Sequence, residues 1–417
     1  MALLSQRQRS ILMYGGGGGG SALPSSSRER ALGAARVGAR YRNPFQSPER
    51  LISCFGAKHW NKSRFYRVRY ILLRFDILHS KNVDPRPKSS LNAYAGARVV
   101  ITGGLGLIGS AIARRLVTLG AAEVILIDSL IPEFGGNLAN IADIRDRVIV
   151  NVADIRGGYT LRHLLAGQDF LFNLAAQTSH LDSMTAPEED LAINCTAQLQ
   201  LLEACRAVNP EISIAHAGTR QIYGRPEYLP VDERHPLRPV DVNGVNKMAG
   251  EAYHLLYRDV YGIKTRSLRL TNVYGPGMRI KDARQTFLGI WLRRIIEGQP
   301  FEVWGGEQRR DLLYVDDAAE AFLHAAASRE TEGLALNVGG GDVVSLAALA
   351  EAIITANGSG DYDVREFPPE RKRIDVGDFL IDDSLFRTLS GWRPRFDLKE
   401  GIRRSLEYYR KHLKAYL

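Results

Sequence analysis

RVVITGGLGLIGS, residues 98–110, joins a strand, a turn and a helix without a spacer. Val99, Val100, Ile101 and Thr102 form the largely β-branched run of a buried parallel strand. Gly103, Gly106 and Gly109 follow at three-residue spacing, and Leu107, Ile108, Ala111, Ile112 and Leu116 then fall at helical spacing. Glycine at those points lets backbone amides approach a pyrophosphate, and the new helix turns its positive end toward the same charge. A second apolar run, Val124 to Ile127, closes on Asp128, 25 positions after Gly103. That is close to the distance at which a carboxylate meets an adenosine ribose. A glycine triplet alone describes any flexible turn; flanked by this strand, helix and acid, it predicts dinucleotide binding. No arginine directly follows Asp128, which favours NAD, because the carboxylate repels a 2′-phosphate.

The net charge of +9 divides unevenly along the 417 residues. Residues 1–96 hold 17 Lys+Arg against 4 Asp+Glu, whereas the rest hold 38 against 42, so the body of the chain is mildly acidic. The high overall pI therefore gives no support to a nucleic-acid role for that body. A hydrophobic content of 45% and a charged content of 24% are those of a soluble globular protein. No apolar run reaches the length of a membrane span. Cys54, Cys195 and Cys205 show neither metal spacing nor a disulfide framework and fit a reducing compartment, with no metal expected.

Residues 1–96 contain six consecutive glycines (Gly15 to Gly20), a serine patch and scattered arginines, a composition that predicts disorder. Only FYRVRYILLRFDIL, residues 65–78, has enough apolar residues for a short helix or strand. Three readings compete for the segment: a transit peptide, a basic tail for an anionic surface, or sequence upstream of a true start near Ala95. The abrupt change of composition before the first strand favours the last, with a cytoplasmic protein as the expectation and organelle targeting left open.

From Ala97 onward strand and helix patterns alternate. Strands are expected at 98–102, 123–128, 147–152, 169–174, 212–217 and 265–270, and helices at 107–119, 160–166, 188–207 and 241–261. Such alternation predicts a doubly wound parallel sheet with helices on both faces. Asp154 and Ile155 end the third strand where an adenine would meet a carboxylate and an amide. Leu174, Ala175 and Ala176 end the fourth, where small side chains let the backbone pass close to a ligand. Past Gly275 the pattern loosens, which divides the chain into residues 97–275 for the cofactor, with returning segments around 312–340, and residues 276–417 mainly for substrate.

Several motifs in order resemble the extended short-chain dehydrogenase/reductases, specifically the nucleotide-sugar epimerase and dehydratase group. Thr102 to Gly109 resembles TGGxGxIG, NLAAQ at 173–177 resembles HLAAQ, and Asn194 in INCTAQLQLLEA matches a buried asparagine. TRQIYG at 219–224 resembles the segment that starts with the catalytic Ser or Thr. LRLTNVYGP with Asn272 resembles RxxNVYGP, and WGGEQRRDLLYVDD resembles GxGxQxRDFxYVDD. The resemblance implies a Rossmann-type fold with a smaller α/β C-terminal substrate domain. It implies a retained NAD that accepts a hydride from a sugar carbon, usually C4, and returns it to the other face. It places Thr219 at the reacting oxygen, Lys247 on the nicotinamide ribose, Gln177 and Asn272 on the sugar nucleotide, and Arg310 and Arg373 on its phosphates. A homodimer through paired helices, 188–207 and 241–261, is also implied.

This chain departs from the pattern in two places. The family's YxxxK tyrosine is Asn243, four residues before Lys247, and an amide offers no useful proton chemistry near neutral pH. Lys247 with a depressed pKa, or His180 in the loop after the fourth strand, are the candidate replacements. Arg220–Gln221 stand where 4,6-dehydratases carry Asp–Glu, which argues against water elimination. The expectation is therefore a UDP-glucose 4-epimerase-like enzyme acting on a UDP- or other NDP-hexose. Another NDP-sugar reductase, decarboxylase or epimerase, and a non-catalytic NAD-binding protein, are the alternatives.

Overall fold

The structure, a computed structural model, describes residues 90–157, 159–283 and 286–417. Cys54, the 65–78 stretch and nearly all of the basic N-terminal segment lie outside the described residues. Among the described residues, Leu91–Tyr94 form a 3-10 turn, and Tyr94 is fully buried against Phe170 and Phe172.

The strands are β1 (Arg98–Thr102), β2 (Glu123–Asp128), β3 (Ile149–Val152), β4 (Phe170–Asn173), β5 (Ser213–Thr219) and β6 (Lys264–Leu270), followed by β7 (Asn272–Tyr274), β8 (Phe301–Trp304), β9 (Arg309–Tyr314), β10 (Ala335–Val338), β11 (Asp342–Ser345) and β12 (Tyr362–Arg365). Seven of them form one sheet in the order β10-β6-β5-β4-β1-β2-β3, with every pairing parallel. Val99, Val100 and Ile101 are fully buried, because helices cover both faces. On one face Val100, Ile125, Leu171 and Ile214 share a core with Leu201, Leu202 and Tyr257. The chain winds outward through β2 and β3, then restarts at β4 on the other side of β1. The C-terminal ends of β1 and β4 therefore flank a topological switch point, where open α/β sheets hold ligands.

After β6 the chain builds two small sheets, β11-β9-β7 and β12-β8, and returns to the large sheet with β10. The helix expected over 188–207 is three pieces: Pro187–Leu191, a π turn at Ala192–Thr196, and Ala197–Val208. Asn194 sits in the π turn with its side chain buried, and Gly250 of the facing helix comes so close that a Cβ there would lie 2.7 Å from the Asn194 carbonyl oxygen. Insertion of one residue into a helix at such a site is a recurrent way of aiming a functional side chain. The facing helix, Val242–Tyr261, starts with Asp241 accepting a hydrogen bond from the Gly244 amide at 2.6 Å and ends at Gly262 in the left-handed region. Asp316 and Asp317 lie in the first turn of the Val315–Ala327 helix. Among the described residues no helix is long and apolar enough to cross a membrane, and no cluster of ligating side chains could hold a metal ion.

Candidate active site

A cavity of about 960 Å³ opens at the switch point and brings together residues from the glycine turn through to β12. On its floor, Gly103 has a φ of +66°. A Cβ there would lie 2.9 Å from the Ala175 nitrogen, and a Cβ on Gly109 would lie 2.3 Å from the Gly103 carbonyl oxygen. Neither position tolerates a side chain, so the turn keeps its backbone bare. Gly106 precedes the Leu107–Thr118 helix without a side-chain cap, which leaves first-turn amides at Leu107 and Ile108 for a ligand. Asp128 is held against the same turn: its carboxylate accepts from the Leu105 amide at 3.1 Å and the Leu130 amide at 3.0 Å, and burial raises its pKa. Leu174 and Ala175 donate their amides to Thr102 Oγ1, each at 3.2 Å, so the end of β4 is pinned to β1 where the ligand passes. Asp154 lines the cavity with Ile155, but its carboxylate is paired with Arg156, whose hydrogen bonds hold its pKa down. The sequence reading did not include Arg156. A bare glycine cradle, a helix N-terminus and a carboxylate at the end of β2 fit a dinucleotide.

Thr219, Asn243, Lys247 and His180 all line the same cavity. Lys247 is buried, donates to the Ala217 carbonyl at 2.7 Å, and is pushed down to about 8 by burial. Asn243 is tied into the protein: its Nδ2 donates to the Gln177 carbonyl at 2.9 Å and to Asp190 Oδ2 at 3.0 Å, while its own amide nitrogen donates to Ser183 Oγ at 3.2 Å. Asp190 is a fully buried carboxylate that also accepts from the side-chain amides of Asn194 at 3.0 Å and Asn246 at 2.8 Å. Three asparagines thus share one buried carboxyl group and satisfy its oxygens, which burial without partners would leave desolvated and unpaired. Asn243 is one of the three, and both hydrogens of its side-chain amide are taken up by Asp190 and the Gln177 carbonyl. Asp190 and Asn246 went unremarked in the sequence, since nothing in their local spacing marks a network that closes only in three dimensions.

The ring of His180 is about one-third exposed, with Nδ1 2.8 Å from Oδ2 of the buried Asp241. Gln221 Nε2 lies 2.9 Å from His180 Nε2. Asp241 also caps the Val242–Tyr261 helix through the Gly244 amide. Arg220, noted earlier only for what it replaces, grips the Asn272 side-chain oxygen with Nε at 3.0 Å and Nη2 at 2.8 Å and packs over the Phe379 ring. Burial and the nearby Arg310 bring its pKa down to about 9. Arg310 is buried at the cavity wall and pairs with Asp375 at 2.8 Å. Gln177 lines the cavity, but its side-chain amide is spent on the backbone of Ser179. Arg373 is exposed and does not reach the cavity wall, which Ile374, Asp375 and Val376 form instead. His216 and Tyr223 are buried in the core.

Comparison with known proteins agrees with this geometry. Residues 99–339 match the NAD dependent epimerase/dehydratase family. A putative UDP-glucose 4-epimerase of Methanocaldococcus jannaschii is 31% identical over 329 residues, covering 75% of this chain and 99% of the relative. A UDP-glucose 4-epimerase of Mycolicibacterium smegmatis is 31% identical over 319 residues, covering 75% and 98%. The crystal structure of the Thermus thermophilus UDP-glucose 4-epimerase complex with NAD superposes with a TM-score of 0.66 at 31% identity, over 75% of this chain and 99% of that one. With its parallel seven-stranded sheet, its glycine cradle and these matches, the chain belongs to the NAD-dependent epimerase/dehydratase family of extended short-chain dehydrogenase/reductases.

Proposed function

We propose that the protein is an NAD-dependent epimerase that inverts C4 of a UDP- or other NDP-hexose. The observation that carries the reading is that one cavity joins the dinucleotide cradle to Thr219, Lys247, Asn272 and Arg310, in a chain 31% identical to UDP-glucose 4-epimerases. The amides that begin the Leu107–Thr118 helix would hold the pyrophosphate, Asp128 the adenosine ribose, Asp154 and Ile155 the adenine, and Lys247 the nicotinamide ribose. When bound, NAD supplies a reversible hydride acceptor. The chain's own residues handle position and protons. Thr219, at the end of β5, sets a hydroxyl at the reacting oxygen, and Asn272, oriented by Arg220, faces the sugar nucleotide. Arg310 is the phosphate group's guanidinium, its Asp375 partner keeping it charged at the wall. Arg220 and Gln221 offer neither the acid nor the base that elimination of water demands, which supports inversion over dehydration.

The reading extends to residues 276–417 as the main substrate-binding portion and to a homodimer. Val245, Leu256 and Val260 are exposed along one face of the Val242–Tyr261 helix, which supports the latter. The test is direct. Incubation with UDP-glucose, UDP-N-acetylglucosamine and other NDP-hexoses, followed by anomeric-proton NMR, should show interconversion with the C4 epimer of one of them. No isomer from any of them would overturn the reading.

A further inference from the structure

We infer that His180, backed by the Asp241 carboxylate, takes and returns the proton of the reacting sugar hydroxyl, in the role that the phenol missing at Asn243 would have had. The inference rests on the epimerase reading above and adds a residue pair to it. Two alternatives in the cavity are already committed. Asn243 spends both hydrogens of its side-chain amide on Gln177 and Asp190. Lys247 points its ammonium at the Ala217 carbonyl, and at neutral pH it is a donor rather than an acceptor.

His180 differs in both respects. It begins the short His180–Thr185 helix, which Ser179 caps through the Asp182 amide, so its backbone is fixed while its ring stays partly open to the cavity. Behind the ring stands Asp241, whose side chain is 1% exposed. Its Oδ1 caps the Val242–Tyr261 helix, whereas its Oδ2 has no aligned hydrogen-bond donor and lies 2.8 Å from His180 Nδ1. The two atoms are within hydrogen-bond distance, and the ring must turn for an Nδ1–H to point at Oδ2. A carboxylate within hydrogen-bond reach of Nδ1 favours the tautomer with the proton on that atom, leaving Nε2 as the acceptor.

Gln221 Nε2 lies 2.9 Å from His180 Nε2, while its Oε1 is buried without a partner. The amide also lies 3.3 Å from His180 Nδ1, beside the ring, so it does not occupy the lone-pair direction of Nε2. In the forward step the sugar O–H bond breaks and its proton passes to Nε2. The pair left on oxygen would become the second carbon–oxygen bond as the same carbon loses a hydride, for which NAD held at the glycine turn would supply the acceptor. The return step reverses both transfers and leaves the imidazole neutral.

Two measurements on the full chain decide the matter. Nitrogen-15 histidine spectra, with His180 assigned from His180→Gln, should show the Nδ1–H tautomer; an Nε2–H tautomer would overturn the inference. Turnover of UDP-glucose and the other NDP-hexoses should fall at least ~100-fold in kcat for His180→Gln, with KM within about threefold, the size expected when a proton-transfer group is lost. Asp241→Asn keeps the helix cap and should lower kcat by about tenfold, again sparing KM, as suits a positioning residue. If the wild type turns over substrate and His180→Gln keeps its kcat within about threefold, the inference fails while the epimerase reading stands. If the wild type converts no sugar nucleotide, the epimerase reading fails, and the tautomer alone decides the His180–Asp241 pair.

Discussion

The two ends of the cavity differ in how their residues are held. At the glycine turn nearly every group answers to backbone geometry: Gly103 and Gly109 have no room for a Cβ, and Asp128 is fixed by two main-chain amides. At the far end, where the sugar would react, the groups are side chains in mutual contact. Several are left short: Arg220 Nη1, Gln221 Oε1 and Asp241 Oδ2 are all buried without a hydrogen-bond partner. A buried polar group without a partner costs about 1–3 kcal/mol, so three in one place are hard to maintain without a ligand or a proton to receive. The contrast teaches that the cofactor end is set by what the backbone must do. The other end is set by side chains that meet from distant parts of the sequence.

The most severe way to break the cofactor end is Gly109→Ala. Its methyl would meet the Gly103 carbonyl at 2.3 Å, backbone against backbone, so the turn must open. NAD affinity, measured by equilibrium titration, should fall by roughly 100-fold or more, equivalent to about 2.7 kcal/mol. At the reaction end, Asn243→Ala takes one of the three asparagine donors from Asp190 and should cost about 2 kcal/mol in a denaturant titration, since a buried acceptor is left short of a partner. Asn243→Tyr should not raise turnover; a rate gain of about tenfold or more would show that the site still awaits a phenol.

Lys247 supplies a pH test that separates the two ends further. Its pKa is about 8 in the folded chain against 10.5 in the unfolded one, so the unfolded state binds more proton between those values. Its contribution to stability therefore rises with pH across that window and is smallest below it. The difference in unfolding free energy between wild type and Lys247→Met should shift toward the wild type as pH rises from about 8 to 10. A flat difference would mean that the amine is not desolvated. Asp154→Asn should have the smallest effect, a two- to fivefold loss of NAD affinity, because the carboxylate is partly exposed and already neutralised by Arg156.

The sequence made the cofactor end legible because its rules are local. A strand, a glycine turn, a helix and an acid at the end of the next strand occupy neighbouring stretches of chain, and β1 and β2 lie where the pattern puts them. The reaction end was legible only as a set of residues. Thr219, Lys247, His180 and Asn243 do converge, yet their partners come from distant positions: Asp190 lies 53 residues from Asn243, and Asp241 caps a helix that His180 meets from another loop. The break in the 188–207 helix was hidden for a similar reason. Its residues have good helical periodicity, and only the packing of Asn194 against Gly250 and its hydrogen bonds to Gln177 and Asp190 accompany the π turn. Arg373 shows the converse, a motif match whose side chain faces solvent while the neighbouring Asp375 reaches the cavity.

The central claim is that the cradle and the reaction end serve one reversible oxidation of a nucleotide sugar. Rapid-mixing absorbance of the NAD-loaded protein with UDP-glucose or another NDP-hexose tests it most directly. The account predicts a transient rise in the near-ultraviolet band of reduced nicotinamide, followed by its decay as the C4 epimer accumulates. A spectrum that stays flat with every tightly bound sugar nucleotide, and no isomer at equilibrium, would contradict it.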